Sequence, residues 1–354
     1  MRSFAKIFAA ALFATLVAFA CVTDSSRRPV TSPVIPREVA GSSTASTPYE
    51  TPSEAAVAPA TGITITSPYR PKAHIYRGQL HAHTTNSDGR QSPAAVMAAY
   101  RDHGFDFAAI TDHDFNTPDP GVRGILFIPG VENDHTCLHE NRIGATTVAP
   151  GARLSQDVID QANREGSFVQ INHPDWPGSY PKNPCWSDAA LLAVRGYDAI
   201  EVWNNSNEWN NSNAEPRIDY LLSRGRRTNM TAVDDCHDVR AAYCMVASTD
   251  VFADALTLPD VIAALKSGNF YSSSGARITS ITVHESVIEV TVPVPSRIEF
   301  IASGGKVVKT VPNARSASYA VDGSETYVRI RVRRDPGPRM AWSNPLYVTA
   351  PSGR

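Results

Sequence analysis

The stretch Gly78-Gln79-Leu80-His81-Ala82-His83 is the starting point for interpreting this chain. A short extended run, predicted as a strand over Gln79–His83, ends in two histidines two positions apart. Because side chains alternate along a strand, both imidazole rings point to the same side. We therefore predict a pair of ligand groups at the end of this strand.

Similar polar groups follow the later predicted strands. They are Ser87-Asp88-Gly89 in the first turn, then Thr111-Asp112-His113-Asp114, Gly130-Val131-Glu132 with His139 beyond it, Ile171-Asn172-His173-Pro174, and Asp234-Asp235-Cys236-His237-Asp238. Neutral imidazole combined with carboxylate is a ligand set for Zn²⁺, Fe²⁺ or Mn²⁺, and this many carboxylates favour more than one ion. The spacing predicts a metal site shared by several strands.

The pattern between these groups alternates strands with helices. The predicted strands after the first are 105–110, 125–128, 167–172, 199–203 and 230–233, and the predicted helices start at Ser92 and cover 154–162, 189–194 and 258–265. Repeated strand-then-helix spacing indicates a parallel α/β domain, either barrel or doubly wound, whose strand ends converge on one face. After Gly275 the runs 280–292, 296–301, 306–311, 327–332 and 346–348 predict an all-β, sandwich-like module.

The N-terminal part predicts export. Arg2 and Lys6 precede an apolar run from Ile7 to Ala20, which is typical of a signal peptide and too short for a permanent membrane span. Residues 21–70 are rich in Ser, Thr and Pro and predict a disordered tether. The expected organisation is a signal peptide at 1–20, the tether at 21–70, a hydrolase domain at 71–275 and a β module at 276–354.

Cys21 stands where a bacterial lipoprotein is acylated, so the favoured location is the periplasm or cell surface with a lipid anchor. Free secretion after cleavage behind Ala20 remains an alternative. The other four cysteines (Cys137, Cys185, Cys236 and Cys244) could form two disulfides in an oxidising compartment or stay as thiols.

Composition limits the partners. The chain of 354 residues has 33 Lys and Arg against 35 Asp and Glu, a formal net charge of −2. This balance argues against a basic face that binds nucleic acid. We expect a small-molecule substrate and no nucleic-acid partner, and the sequence leaves the oligomeric state open.

Taken together, the histidine and carboxylate motifs over about residues 74–275 resemble those of the PHP (polymerase and histidinol phosphatase) family. The resemblance implies a distorted (β/α)7 barrel with three divalent ions at the strand ends. The segment 268–275, which ends the predicted hydrolase domain, and the stretch Ala341-Trp342-Ser343-Asn344-Pro345 resemble the corresponding segments of an exported, carbaryl-hydrolase-like branch of that family.

The resemblance also implies which residues bind each ion. His139 is the least certain of them, since His135 lies four residues before it. The implied ligands are His81, His83, Glu132 and Asp235 for the first ion, Glu132, His139 and His173 for the second, and Asp88, His113 and His237 for the third.

Such a site predicts a metal-dependent phosphoesterase in which an activated hydroxide attacks the ester. Glu132, His237 and Asp112 are the predicted catalytic residues, with Asp112 orienting ligands or assisting proton transfer; Asp114 is the alternative for that role or a helix cap. Arg142, Asn204 and Trp203 are candidate substrate contacts, and Arg90 is a further candidate cation.

Two other functions remain open. The same site could hydrolyse carbamates, amides or carboxylic esters. Alternatively, the chain is not an enzyme but a catalytically inert surface-binding lipoprotein. Against this alternative, all nine positions at which the resemblance implies a ligand hold a histidine, aspartate or glutamate.

Overall fold

The computed structural model describes residues 62–134, 137–148, 154–176, 185–206, 212–334, 337 and 339–350. The predicted signal peptide, nearly all of the predicted tether and His135 lie outside this part of the chain. In the described part the helices are Pro93–Asp102 (α1), Ser155–Glu165 (α2), Asp188–Ala193 (α3), Glu215–Leu222 (α4) and Leu258–Ser267 (α5). None of these helices has the length and apolar character that crossing a bilayer requires.

The strands outnumber the helices. Those up to residue 273 are Thr64–Thr66 (β1), His74–Gln79 (β2), Phe107–Ile110 (β3), Leu126–Asn133 (β4), Glu140–Ile143 (β5), Phe168–Ile171 (β6), Ala199–Asn204 (β7), Ser212–Asn213 (β8), Asn229–Val233 (β9), Ser248–Ala253 (β10) and Phe270–Ser273 (β11). Those after it are Ser280–His284 (β12), Val287–Ala302 (β13), Lys306–Ala320 (β14), Tyr327–Arg334 (β15), Arg339–Ser343 (β16) and Leu346–Thr349 (β17), with a short 3-10 helix at Ser303–Gly305.

Local sequence explains where the helices begin and end. The Ser92 side chain accepts a hydrogen bond from the Ala95 N–H, and Pro93 occupies the first turn of α1, where its missing N–H costs nothing. Helices α2 and α5 end at Gly166 and Gly268, which have φ values of 76° and 75°. Glycine adopts this left-handed conformation without a steric penalty, so both helices end at a glycine, a few residues beyond the predicted ends at 162 and 265.

The strand pairing is mixed. Strands β2, β3 and β4 run parallel to one another, and β7 runs parallel to both β6 and β9. Strand β5 lies antiparallel between β4 and β6, and β10 lies antiparallel beside β2. The fold is thus mixed α/β with much strand and few helices, and the distorted (β/α)7 barrel stays a prediction.

The strands after residue 280 pair antiparallel, and residues 280–292 form a hairpin rather than the single predicted strand. They are not separate from the rest, because β16 pairs with β11 and β17 pairs with β1. A single apolar cluster also joins Tyr69 and Phe252 to Ile298 and Val332. A self-contained β module beginning at residue 276 is therefore not confirmed.

Candidate metal centre

The predicted ligands lie just beyond strand ends. Strand β2 stops at Gln79, so His81 and His83 follow the strand instead of belonging to it as predicted. Ala82 forms a parallel bridge with Cys236, and His113 forms one with Glu132. These bridges extend the parallel pairing past the strands and bring the ligand segments together.

Several of these segments bend sharply at the site. His173 and Asp235 have φ values of 24° and 52°, in a region that residues other than glycine rarely occupy. Such strained backbone is held in place by surrounding contacts and is concentrated at functional sites.

The first ligand group consists of two imidazole nitrogens, each in contact with the other and with one oxygen of Glu132 and one of Asp235. His81 Nε2 lies 3.1 Å from His83 Nε2, 2.9 Å from Glu132 Oε2 and 3.3 Å from Asp235 Oδ1. His83 Nε2 lies 3.0 Å from Glu132 Oε2 and 3.4 Å from Asp235 Oδ1. Four ligands placed tetrahedrally at about 2.0–2.2 Å from an ion are separated by roughly 3.3–3.6 Å. The observed separations are close to this spacing.

The second ligand group uses the other oxygen of Glu132. Glu132 Oε1 lies 3.0 Å from His139 Nδ1 and 3.3 Å from His173 Nε2. Asn172 donates to the same oxygen at 2.8 Å and fixes the carboxylate between the two groups. Glu132, whose side chain is 1% exposed, can therefore serve both groups.

The third ligand group is centred on Asp88 at the mouth of the site. Its Oδ2 lies 3.3 Å from His237 Nε2 and 3.6 Å from His113 Nε2. His237 Nδ1 is 3.0 Å from the carbonyl oxygen of Asp235, to which it can donate a hydrogen bond and so leave Nε2 as the ligand atom.

The carboxylates and histidines shift one another's pKa values strongly. Burial lowers the pKa of His81, but the surrounding carboxylates, Asp235 first, outweigh it and raise that pKa well above its usual range. Burial raises the pKa values of Glu132 and Asp235, but the charges and hydrogen bonds of the histidines hold both well below their usual range. Clusters with such mutually shifted groups are typical of functional sites.

Two buried atoms test whether the site suits a metal. Asp235 Oδ1 and His113 Nδ1 have no hydrogen-bond partner among the described residues. An unsatisfied buried polar atom is costly in a native protein, and coordination of an ion satisfies it. The residues present therefore fit divalent ions, and the His, Asp and Glu side chains form several overlapping groups that could hold them.

The ligand groups line one cavity of about 250 Å³. Asn204 lies on its wall and donates to both Glu201 and Asp235, and its predicted contact with substrate stays a prediction. Sequence reasoning missed Trp176 and Ser206, which also line the cavity. The Trp176 ring centre lies 5.2 Å from that of His139 and 5.3 Å from that of His173. Only its position three residues after His173 could have suggested this role.

Comparison with known proteins adds structural likenesses. The sequence matches no family model and none of the curated proteins. A two-domain protein from Bacteroides vulgatus, described as containing a predicted PHP-like metal-dependent phosphoesterase, is 18% identical with a TM-score of 0.47, covering 79% of this chain and 98% of that one. This chain is similar to PHP-like structures.

Two further structures are also similar. An amidohydrolase from Chromobacterium violaceum covers 46% of this chain and 87% of its own at 16% identity, with a TM-score of 0.36. The lesion-specific endonuclease Q from Pyrococcus furiosus is 13% identical with a TM-score of 0.40, and the match covers 55% of this chain and 56% of that one. None of these likenesses identifies a substrate, and the exported carbaryl-hydrolase-like branch stays a prediction.

The structure places Asp112 away from the PHP-like ligand groups. Its carboxylate accepts hydrogen bonds from the Thr84 N–H and from the hydroxyl groups of Thr84, Ser87 and Thr117. With both oxygens occupied, Asp112 holds the loop that carries Asp88. Its predicted part in orienting ligands or assisting proton transfer stays a prediction. Asp114, the alternative, accepts from the Asn133 amide.

Three predicted substrate contacts also lie elsewhere. Arg142 is fully buried and pairs with Glu165, and Arg90 is an exposed side chain near Asp238; neither lines the cavity. Trp203 is 7% exposed and stacks on Trp342. Arginine has a long side chain that also suits buried ion pairs, and tryptophan has a large ring that also suits cores. The closeness of these residues to the ligand motifs in the sequence therefore does not decide whether they face the cavity.

The cysteines answer part of the disulfide question. Cys236 and Cys244 are bonded to each other, while Cys137 and Cys185 are free. Burial, together with a hydrogen bond to the Cys137 thiol, raises the pKa of Cys185 to about 12. Cys236 is 1% exposed, and its sulfur is held in this disulfide.

Proposed function

We propose that this chain is a metal-dependent phosphoesterase with three divalent ions at the described cavity. The observation that carries the proposal is the first ligand group, in which the two imidazole nitrogens lie 3.1 Å apart and each lies within 3.4 Å of one oxygen of Glu132 and one of Asp235. Two imidazole nitrogens that face each other, with carboxylate oxygens beside them, form a set of groups suited to binding a divalent cation.

The ligand residues differ in the ion that each would hold. Glu132 would be shared by the first two ions, and Asp88 with His113 and His237 would hold the third at the mouth. Divalent ions held in this way lower the pKa of bound water towards neutrality and neutralise the charge of a phosphate ester. His237, 26% exposed, is the most exposed of the ligand histidines, and we expect it to meet an entering substrate.

A second candidate is hydrolysis of carbamates, amides or carboxylic esters. One observation favours keeping it. The described residues that line the cavity include neither Lys nor Arg, so a phosphate dianion would meet only histidines and ions. A neutral acyl substrate needs no Lys or Arg side chain to balance its charge, and the Trp176 ring offers it an apolar wall.

The test is release of p-nitrophenol by the purified chain with Mn²⁺, Zn²⁺ or Fe²⁺. Phosphate mono- and diesters are compared with p-nitrophenyl acetate, and His81→Ala/His83→Ala is the matched control. Metal-dependent cleavage of phosphate esters that the control lacks supports the proposal. Cleavage of acetate alone favours the acyl hydrolase, and no metal-dependent cleavage of any ester contradicts both.

A nucleic-acid arm belongs in the same experiment. Single-stranded and lesion-containing DNA are incubated with the metal-loaded chain, because the net charge of −2 makes us expect no cleavage. Cleavage dependent on His81 and His83 would replace the small-molecule substrate with a nucleic acid.

We also propose export, with a lipid anchor at Cys21. The signal-like stretch at residues 1–20 and the Cys236–Cys244 disulfide support it, since disulfides persist in oxidising compartments. The anchor is tested by membrane fractionation of cells that express either the chain or its Cys21→Ser variant. The proposal requires that the unaltered chain be found with the membranes and that the variant not be.

A further inference from the structure

A buried carboxylate lies directly behind the ligand groups. Glu201, in β7, is fully buried and does not line the cavity. Its Oε1 lies 2.7 Å from Nδ1 of His81, the ring nitrogen that faces away from the ligand atoms. Glu201 is thus outside the ligand groups but in contact with one of their central members.

Every described hydrogen-bond partner of Glu201 can act as a donor. Besides His81, the Gln170 amide donates to Oε1 at 2.8 Å, and the His173 backbone N–H and the Asn204 amide donate to Oε2 at 2.5 and 3.0 Å. A carboxylate accepts all four because each oxygen accepts two bonds. A glutamine at this position would have only one acceptor oxygen. Its NH₂ group would face the other two donors and could not accept a hydrogen bond from them.

The first consequence concerns the His81 ring. Because a carboxylate only accepts, Nδ1 carries a proton, which leaves Nε2, the nitrogen facing His83, Glu132 and Asp235, as the one that can give a lone pair to an ion. Carboxylates that fix ligand histidines in this way raise the basicity of the ligand and hold its ring in one orientation.

The second consequence concerns the backbone at the other ligands. The same Oε2 anchors the N–H of His173, where φ is 24°. Asn204 donates to this oxygen and also to Asp235 Oδ2 at 3.2 Å, where φ is 52°. Glu201 therefore contacts two chain segments that carry ligands and reaches a third, at Asp235, through Asn204; the segments at His173 and Asp235 have strained backbone.

We propose that Glu201 is the positioning residue of the metal centre. Glu201 fixes the proton position of His81, anchors the strained backbone of His173 and, through Asn204, orients Asp235. The geometry of the first two ligand groups therefore depends on this one side chain. This inference rests on the proposed function, because it assigns a role towards ions that the proposal places there.

The experiment measures metal binding and not only turnover. Full-length wild-type chain, Glu201→Gln and Glu201→Asp are titrated with Co²⁺ against a chromogenic chelator, and the Co²⁺ absorption spectrum is recorded for each. We expect Glu201→Gln to weaken binding by about 10–100-fold and to alter the spectrum. Glu201→Asp, which keeps the charge but withdraws it by one methylene group, should lie between the two.

Glu215→Gln is the matched control, since Glu215 is a 4% exposed carboxylate that pairs with Arg329 and Arg331 and has no described hydrogen bond or ion pair with a ligand. It should lower the unfolding temperature and leave Co²⁺ affinity and spectrum unchanged. Wild-type affinity and spectrum in Glu201→Gln would overturn the inference. If that variant does not fold, a wild-type spectrum in Glu201→Asp would do the same. Failure of the wild-type chain to bind Co²⁺ would instead contradict the proposed function, and with it the inference.

Discussion

Two buried charged clusters in this protein are built in opposite ways. In the cluster of Glu215, Asp219 and Arg329, the guanidinium Nε and Nη2 of Arg329 contact the two Asp219 oxygens at 2.9 and 2.6 Å. Arg331 Nη1 lies 2.9 Å from Glu215, and Tyr327 donates to Asp219. Each carboxylate in this cluster has a permanent cation beside it.

The ligand cluster has no such cation among its described members. It packs six histidines with Asp88, Glu132 and Asp235, and two of its buried atoms have no described hydrogen-bond partner. The comparison shows that burial of charge alone does not identify a functional site. What distinguishes the ligand cluster is that its groups complement an added cation and not one another.

Removing the first ligand group should have the largest effect. His81→Ala/His83→Ala deletes two of its four atoms, so metal-dependent turnover should fall to the level of the reaction without protein while the fold is kept. Turnover and metal content by mass spectrometry check this, with circular dichroism as the control. Unchanged turnover would show that these histidines are not ligands.

Glu132→Gln should have the next largest effect and a larger one than Glu201→Gln. Glu132 contacts both of the first two ligand groups directly, whereas Glu201 acts through His81 and the backbone. We expect a loss of kcat/KM well above the roughly 10–100-fold given for positioning residues. Equal losses in the two variants would mean that Glu132 is not shared between ions.

The paired cluster should affect stability alone. Asp219→Ala leaves the buried Arg329 guanidinium without its bidentate partner, and breaking a buried pair costs about 3–5 kcal/mol. Urea unfolding should show this loss in the free energy of unfolding, with kcat/KM unchanged at a temperature where the variant is folded. A changed metal affinity would contradict the separation of the two clusters.

The smallest effect should be a pH dependence confined to the ligand cluster. Burial lowers the pKa values of His113 and His237, but hydrogen bonds with Asp88 and nearby carboxylates raise both to about 9. Because this exceeds the unfolded value, their contribution to the stability of the metal-free chain is complete below about pH 6.5 and is lost as the pH rises through about 9.

Metal binding should show the opposite trend, since protonated imidazole is no ligand. Co²⁺ affinity should rise from pH 6 to pH 9 and then level off, and thermal unfolding with and without Co²⁺ should separate further over this range. Asp88→Asn should shift the rise to lower pH. Affinity independent of pH would remove His113 and His237 from the ligand set.

The sequence missed parts of the fold for an identifiable reason. Strand β5, Glu140–Ile143, is short and polar, so no apolar pattern marks it, yet all four residues are buried between β4 and β6. Burial raises the pKa of Glu140 to about 8, which shows how far its environment departs from water. Such a strand is stabilised by its neighbours and not by its own propensity.

The sequence by itself determined the chemistry of the site: histidines and carboxylates at the ends of successive strands, spaced so that they meet at one edge. This succeeded because side-chain alternation and the convergence of parallel strand ends are local rules. Only the tertiary structure decided which polar residues serve that site. Asp112 turns to its own loop, Arg142 and Trp203 pack elsewhere, and Trp176 and Glu201 join the centre, because a side chain's partners depend on segments far away in the chain.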